Sequence, residues 1–283
     1  MVPPLRQSLG VVTAALAVTA CSVRARPAQV GEVSVPTSSS VAVRTFPEGA
    51  AADYQLGGAY PPPAGVTVVV RDSTAEPAEG LYNVCYVNAF QTQPADRDLW
   101  LGEHADLVLR GRDGRPVVDP DWPDEMVLDT STVEKRARLA VIVGTTVGRC
   151  AGAGFDAVEF DNLDSHTRSS GAVTAENNLA LAALLVESAH DKGLLAGQKN
   201  AAELGERGKD EVGFDFAVAE ECVAFEECER YTAVHGKRVL AVEYTDNLPP
   251  GGACAAPERP RSTVVRDRGL VRPGERGYSY HRC

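Results

Sequence analysis

From residue 54 onward the chain alternates short apolar runs with longer stretches whose apolar residues recur at helical spacing. The runs at 54–56, 66–70, 83–87, 125–128, 157–160, 194–196, 216–219, 239–242 and 262–265 predict strands. They are short, rich in β-branched residues and often followed by polar ones, as parallel strands buried on both faces would be. The clearest helix is 175–192: Thr174 can cap it, Leu179, Ala182, Ala183, Val186 and Ala189 share a face, and Gly193 follows Lys192 at its end. A second amphipathic helix spans 133–149, with Leu139, Val143 and Val147 on one side and Arg and Lys on another.

Repeated strand–helix units of this kind leave two layouts, a closed (β/α)8 TIM-type barrel or a doubly wound open α/β sheet. No G-x-G-x-x-G follows an early strand, so a dinucleotide fold has nothing to recommend it and no cofactor is expected. Most of the apolar runs carry an acid, an amide or a lysine just past their end. Reactive groups at the C-terminal mouth of several strands are how a barrel enzyme is built, and the barrel is the expected fold.

The segment ahead of these repeats has a different pattern. Arg6 is followed by an uncharged apolar run from Leu9 to Ala20. At about a dozen residues it is too short to cross a ~30 Å hydrocarbon core and reads as an export signal. Val18-Thr19-Ala20-Cys21 then resembles a bacterial lipobox, which makes residues 1–21 a lipoprotein signal and Cys21 the lipidated residue. Plain secretion with cleavage near Ala20 is the alternative. Polar, Pro- and Ser-containing residues 22–46 read as a flexible tether, leaving 47–283 as one domain. The expected location is therefore the outer face of the cell membrane, with lipid as the only attachment. The formal charge of −11 lacks a nucleic-acid footprint and would attract a cationic polymer. A monomer is expected.

Without Cys21, six cysteines remain, an even number suited to disulfides in an exported chain. Cys222 with Cys228 would close a short loop and Cys254 with Cys283 would staple the C-terminal tail, which leaves Cys85 with Cys150, although other pairings are formally open. Zinc is the rival use, but no tight CxxC pair is present and the histidines are scattered.

Four strand ends carry the candidate chemistry. In Phe155–Asp164, period-2 alternation puts Glu159 and Asp161 on one face and Val158 and Phe160 on the other, with Asn162 and Asp164 entering the loop. Four acids in nine residues beside apolar positions would raise at least one carboxylate pKa if partly buried. The run ending Ala219-Glu220-Glu221-Cys222 delivers acids beside an expected disulfide; Gln198-Lys199-Asn200 and Glu243-Tyr244 end two more strands. Two carboxylates from different strand ends are the minimum for glycosidic cleavage, one as proton donor and one as nucleophile or base. Serine-hydrolase chemistry fits less well, because there is no G-x-S-x-G and no histidine has an evident serine partner.

In order and spacing, VEFDNLDSH, AH-DKGLLAGQKN, FDFAVAEEC and GKRVLAVEYTD resemble the endo-α-1,4-polygalactosaminidase family, glycoside hydrolase family 114. Tyr54-Gln55-Leu56, NVCYVNA around Cys85 and the acidic step at Asp129 extend the resemblance over roughly residues 50–283. It implies a (β/α)8 barrel that hydrolyses α-1,4-linked galactosamine polymers. Asp161 then corresponds to the nucleophile or charge stabiliser and Glu220 to the general acid/base. Asp72, Tyr86, Asp129, Asn162, Asp164, Lys199, Asn200, Glu243 and Tyr244 are expected to line the substrate pocket. The substrate would be an amino-sugar polysaccharide, whose ammonium groups suit an acidic cleft. The chain departs from the family pattern at Val87-Asn88-Ala89-Phe90, where a Ser/Gly-containing turn is usual, and that bears on the sugar or linkage. A weakly catalytic, sugar-binding surface lipoprotein on the same barrel is the alternative of a different class.

Overall fold

A computed structural model describes residues 44–283. The expected signal, Cys21 and most of the expected tether lie outside the described residues. No helix among the described residues is long and apolar enough to cross a membrane.

Eight parallel strands follow one another around the sheet in chain order. They are β1 (Ala52–Gln55), β2 (Val68–Asp72), β3 (Tyr82–Asn88), β4 (Ala157–Asp161), β5 (Leu195–Lys199), β6 (Phe216–Glu220), β7 (Val239–Tyr244) and β8 (Ser262–Arg266). A short β9 (Tyr280–Arg282) pairs antiparallel with β8. The architecture is a (β/α)8-type barrel, and eight of the nine apolar runs supply its staves. Most strands run one or two residues past the apolar pattern, so Asp72, Asn88, Asp161, Lys199, Glu220, Tyr244 and Arg266 are the last residues of their strands.

The ninth run, 125–128, is not a stave. It belongs to the long excursion between β3 and α2 (Val133–Ala153) and pairs antiparallel within it, Val108 with Leu128 and Val118 with Met126. Met126, Val127 and Leu128 are fully buried there, and a short apolar run looks the same whether it fills a barrel or the core of a folded loop. The same excursion carries α1 (Arg97–Gly102).

Helices cover only part of the barrel. Thr132 accepts the Lys135 N–H to start α2, Gly154 at φ 95° ends it, and Leu139, Val143, Val147 and Cys150 form its buried stripe. α3 (Ala175–His190) opens with Thr174 and Asn177 satisfying each other's backbone N–H, and it stops two residues before Lys192. α4 (Cys228–His235) lies between β6 and β7. No helix separates β1, β2 and β3.

Residues 44–46, expected in the tether, are packed on the domain. Arg44 pairs with Asp156, and buried Phe46 stacks on Phe216 at 4.4 Å and meets Tyr82 edge-on, plugging the barrel interior. Gly197 makes room for this plug, since a Cβ there would lie 2.4 Å from the Phe216 ring. Disulfides join Cys85–Cys150, Cys222–Cys228 and Cys254–Cys283.

Candidate active site

Period-2 alternation decides what enters the barrel. Tyr54, Tyr86, Val218, Val242 and Tyr244 belong to the interior cluster, while Cys85, Val158, Phe160 and Ala196 pack in the cluster with α2 and α3 residues. On β4 that parity turns Glu159 and Asp161 inward, and on β5 and β6 it turns Lys199 and Glu220 inward. An acid, a lysine and an acid thus end three consecutive strands.

Lys199 is the hub. Its side chain is 1 % exposed, and its Nζ lies 3.3 Å from Glu220, 3.6 Å from Asp161 and 3.5 Å from Glu159. It donates to the Tyr54 hydroxyl at 2.8 Å, and Tyr54 donates to Glu159 at 2.5 Å. The ammonium also lies over the Tyr54 and Tyr86 rings, 5.2 and 5.4 Å from their centroids. Tyr86 donates to Asp161 Oδ2 at 2.6 Å, while the Asn162 N–H donates to Asp161 Oδ1 at 2.8 Å. Glu220 accepts from the Tyr244 hydroxyl and from the Asn200 amide at 3.1 Å. Asp161 and Glu220 remain partly open to solvent, 16 % and 25 %, whereas Glu159 is closed off with its Oε2 unpartnered.

The residues after these groups are strained. Asn162, Asn200, Ala201 and Glu221 all have φ between 50° and 65°. Left-handed backbone costs a non-glycine residue on the order of 1 kcal/mol or more, and it clusters where side-chain aim matters.

Electrostatics separates the glutamates. Burial pushes Glu159 up to about 7, against the lowering pull of Lys199 and Tyr54. For Glu220, burial acts upward too, but the Lys199 charge with the Tyr244 and Asn200 hydrogen bonds outweighs it and holds the carboxyl below its usual range. Burial pulls Lys199 down, and the surrounding Asp161, Glu220 and Glu159 more than reverse it, so the amine stays protonated.

Of the pocket residues expected from sequence, Tyr86, Asn162, Lys199, Asn200 and Tyr244 join Asp161 and Glu220 here. Asp72 stands beside Tyr86 in the strand register, but its carboxylate holds the Thr74 turn. Asp164 lies on the rim, paired with Arg168 at 2.8 Å. Two expectations are corrected. Asp129 is tied to Lys135 and Ser131 at the start of α2, and Glu243 faces out of the barrel, accepting the Val223 and Ala224 N–H groups. The odd-numbered positions of β7 are its outer face, which is why Glu243 cannot share a cleft with Tyr244.

Tyr54, Glu159 and Glu125 are additional members. The alternation of β4 already put Glu159 beside Asp161. Glu125 had no signal: it accepts from Asn88 and Gln91, and Asn88 accepts from Asn162. The departure at Val87–Phe90 therefore builds a polar bridge to the residue after Asp161. Among the described residues, Cys222, Cys228 and Glu243 are a group with metal-ligand proximity, but the two sulfurs are bonded to each other.

The fold and the acid–lysine–acid mouth define a barrel hydrolase of glycosides, and the comparisons agree. Residues 34–283 match the model of Glyco_hydro_114, glycoside-hydrolase family GH114, and the chain belongs to that family. Among solved structures it is similar to Ega3 of Aspergillus fumigatus in complex with galactosamine, at 19% identity and TM-score 0.68 over 85% of this chain and 98% of that one. It is also similar to the glycoside hydrolase domain of PelA from Pseudomonas aeruginosa, at 15% identity and TM-score 0.54 over 80% and 97%. No curated protein matches the sequence.

Proposed function

We propose that this glycoside hydrolase cleaves α-1,4-linked, galactosamine-containing polysaccharide, with Asp161 as nucleophile and Glu220 as general acid/base. The observation that carries the roles is the pair of carboxylates held on either side of one buried ammonium at the barrel mouth. Both lie close enough to Lys199 Nζ that their nearest oxygens are at most about 7 Å apart, which favours direct attack over a water held on the far side of the sugar. Asp161, fixed by Tyr86 and the Asn162 N–H, attacks the anomeric carbon as Glu220 gives its proton to the leaving oxygen. The resulting glycosyl ester is then opened by a water whose proton returns to Glu220.

Before substrate binds, Lys199, Tyr244 and Asn200 hold Glu220 ionised, so it takes up its proton as the entering sugar displaces water and raises the desolvation cost of the charge. Once Asp161 is esterified, Lys199 faces one anion fewer and favours Glu220 as the base of the second step. Galactosamine in the complex of a structural neighbour and the acidic rim of this cleft support an amino sugar as substrate. The N-terminal pattern supports display at the outer membrane face through Cys21, which the mass of the mature N-terminus checks.

The test is incubation of the mature chain with deacetylated and N-acetylated α-1,4-galactosaminan, with product lengths read by mass spectrometry. Cleavage with retained α configuration in the first product is expected. Asp161→Asn and Glu220→Gln should each lower the rate by about a thousandfold or more with the fold intact. Near-parental rates in either variant would remove the proposed pair. Binding without any cleavage by the parent would point to the surface sugar-binding alternative.

A further inference from the structure

Two loops at the mouth carry aromatic rings in the open. Trp122 is 58% exposed and Phe225 is 63% exposed, in a chain that buries Trp100 and most of its other aromatic rings. Neither exposure is a loose end, because each ring stands on a segment pinned from several sides.

Trp122 occupies the turn Asp119–Glu125. Asp119 Oδ1 accepts the Asp121 and Trp122 N–H groups, and its other oxygen pairs with Arg168 at 2.6 Å; Arg168 in turn holds Asp164. At the far end the Glu125 N–H donates to the Trp122 carbonyl, and the Glu125 carboxylate is held by Asn88 and Gln91. Asn88 reaches Asn162, the residue after Asp161. The turn is thus bolted to the loops that follow β3 and β4, and Pro120 and Pro123 stiffen it.

Phe225 stands on the loop after Glu220. Cys222–Cys228 closes that loop, Glu243 grips the Val223 and Ala224 N–H groups, and the Phe225 N–H donates to the Glu221 carbonyl. The backbone under one ring is therefore held on the Asp161 side of the mouth and that under the other on the Glu220 side.

The sequence around each ring is acidic. Asp121 and Asp124 stand exposed beside Trp122, and Glu226 and half-buried Glu227 beside Phe225, while Asp119 and Glu221 are paired with Arg168 and Arg268. A ring face attracts both the C–H face of a pyranose and a cation, and adjacent carboxylates add to the second. An exposed aromatic ring on a held backbone, with unpaired acids beside it, suits a cationic sugar ring.

Resting on the proposed function, we propose that Trp122 and Phe225 are platforms for sugar units beyond the cleavage point, so that a chain of amino sugars lies across the barrel mouth from one ring to the other.

The test uses the mature chain with Trp122→Ala, Phe225→Ala and, as a control on exposed apolar surface elsewhere, Val141→Ala on α2, where the side chain is 73% exposed. The readout is the ratio of kcat/KM on long deacetylated galactosaminan to kcat/KM on a short aryl galactosaminide. Each platform variant should lower that ratio about tenfold, the worth of one stacked ring, and the control should leave it unchanged. An unchanged ratio in both platform variants overturns the proposal. Acrylamide quenching is a second readout in Asp161→Asn, where exposed Trp122 dominates because Trp100 is only 6% exposed. Added polymer should shield Trp122. Shielding by a polymer that the parent does not cleave would leave the platforms standing and sink the hydrolase reading. Cleavage with no shielding and no change in ratio would do the reverse.

Discussion

Two buried charge networks sit in this barrel, and they are built on opposite terms. One closes the seam where β8 meets β1. Arg266, fully buried, pairs with Asp53 at 3.0 Å, donates to the Tyr54, Val271 and Ser279 carbonyls, and lies 5.9 and 5.6 Å from the Tyr60 and Tyr278 ring centroids. Asp53 is completed by Gln55 at 2.8 Å and Tyr60 at 3.0 Å, and Gln55 accepts from Arg71. Every charge there has a partner of opposite sign or a full set of hydrogen bonds. The mouth network instead sets three carboxylates against one ammonium, leaves Glu159 Oε2 without a partner, and is followed by left-handed residues. Saturation fixes a structure, whereas an excess of one charge around a single counter-ion leaves protons and substrate something to complete.

The largest effect should come from breaking the saturated network. Arg266→Met strands Asp53 in the seam and should cost about 3–5 kcal/mol in denaturant unfolding, a figure typical of removing one partner of a buried pair. Adding Asp53→Asn should return a good part of it. A loss below about 1 kcal/mol would mean that the seam closes without its ion pair. Lys199→Met makes the matching change at the mouth, and there the loss should appear in kcat, by about a hundred- to a thousandfold. With the ammonium gone Glu220, the general acid, holds its proton more tightly, so the alkaline limb of the pH–rate profile should move to higher pH. Activity within about tenfold of the parent would show that the hub only fills space.

Much of this contrast was readable from the residues, for a physical reason. Alternation along β4 announces Glu159 and Asp161 on one face, and the apolar runs before Lys199, Glu220 and Tyr244 announce their places at the mouth. What pattern cannot carry is the identity of partners brought together by closure. Arg266 looks like the end of an apolar run, yet it reaches back to β1, whose residues precede it by more than two hundred positions. Glu125 looks like the start of a stave and is a bracket for Asn88. Asp129 and Glu243 look like their acidic neighbours, and only strand parity and the fold of the excursion turn them elsewhere.

A subtler probe separates the two glutamates of the mouth. Glu159, raised from an ordinary value of 4.5 to about 7, keeps a proton in the folded chain that the unfolded chain loses. Its contribution is therefore complete below the ordinary value and is lost as pH rises to about 7. Glu220, lowered, has the opposite sign: its contribution is present above the ordinary carboxylate range and is lost as pH falls through its folded value. Glu159→Gln should gain on the parent by about 3 kcal/mol between pH 4.5 and 7 in unfolding experiments, since holding one extra proton is worth ~1.4 kcal/mol for every pH unit crossed. A constant difference across that range would show that Glu159 stays ionised beside Lys199.

The smallest effect tests whether the mouth stores strain that the seam lacks. Ala201, at φ 60°, follows Asn200 and has no polar side chain to repay its left-handed backbone. Glycine adopts that conformation freely, although it also loosens the unfolded chain, so the two effects partly cancel. Ala201→Gly should therefore raise stability by at most about 1 kcal/mol, seen as a Tm increase of a few degrees. Its effect on catalysis goes the other way if the strain aims Asn200 at Glu220: a looser backbone lets the 3.1 Å hydrogen bond lengthen, and kcat falls while the protein becomes more stable. A variant that loses both stability and activity would show that the left-handed turn is held by its packing, and that the mouth, like the seam, is built at its minimum.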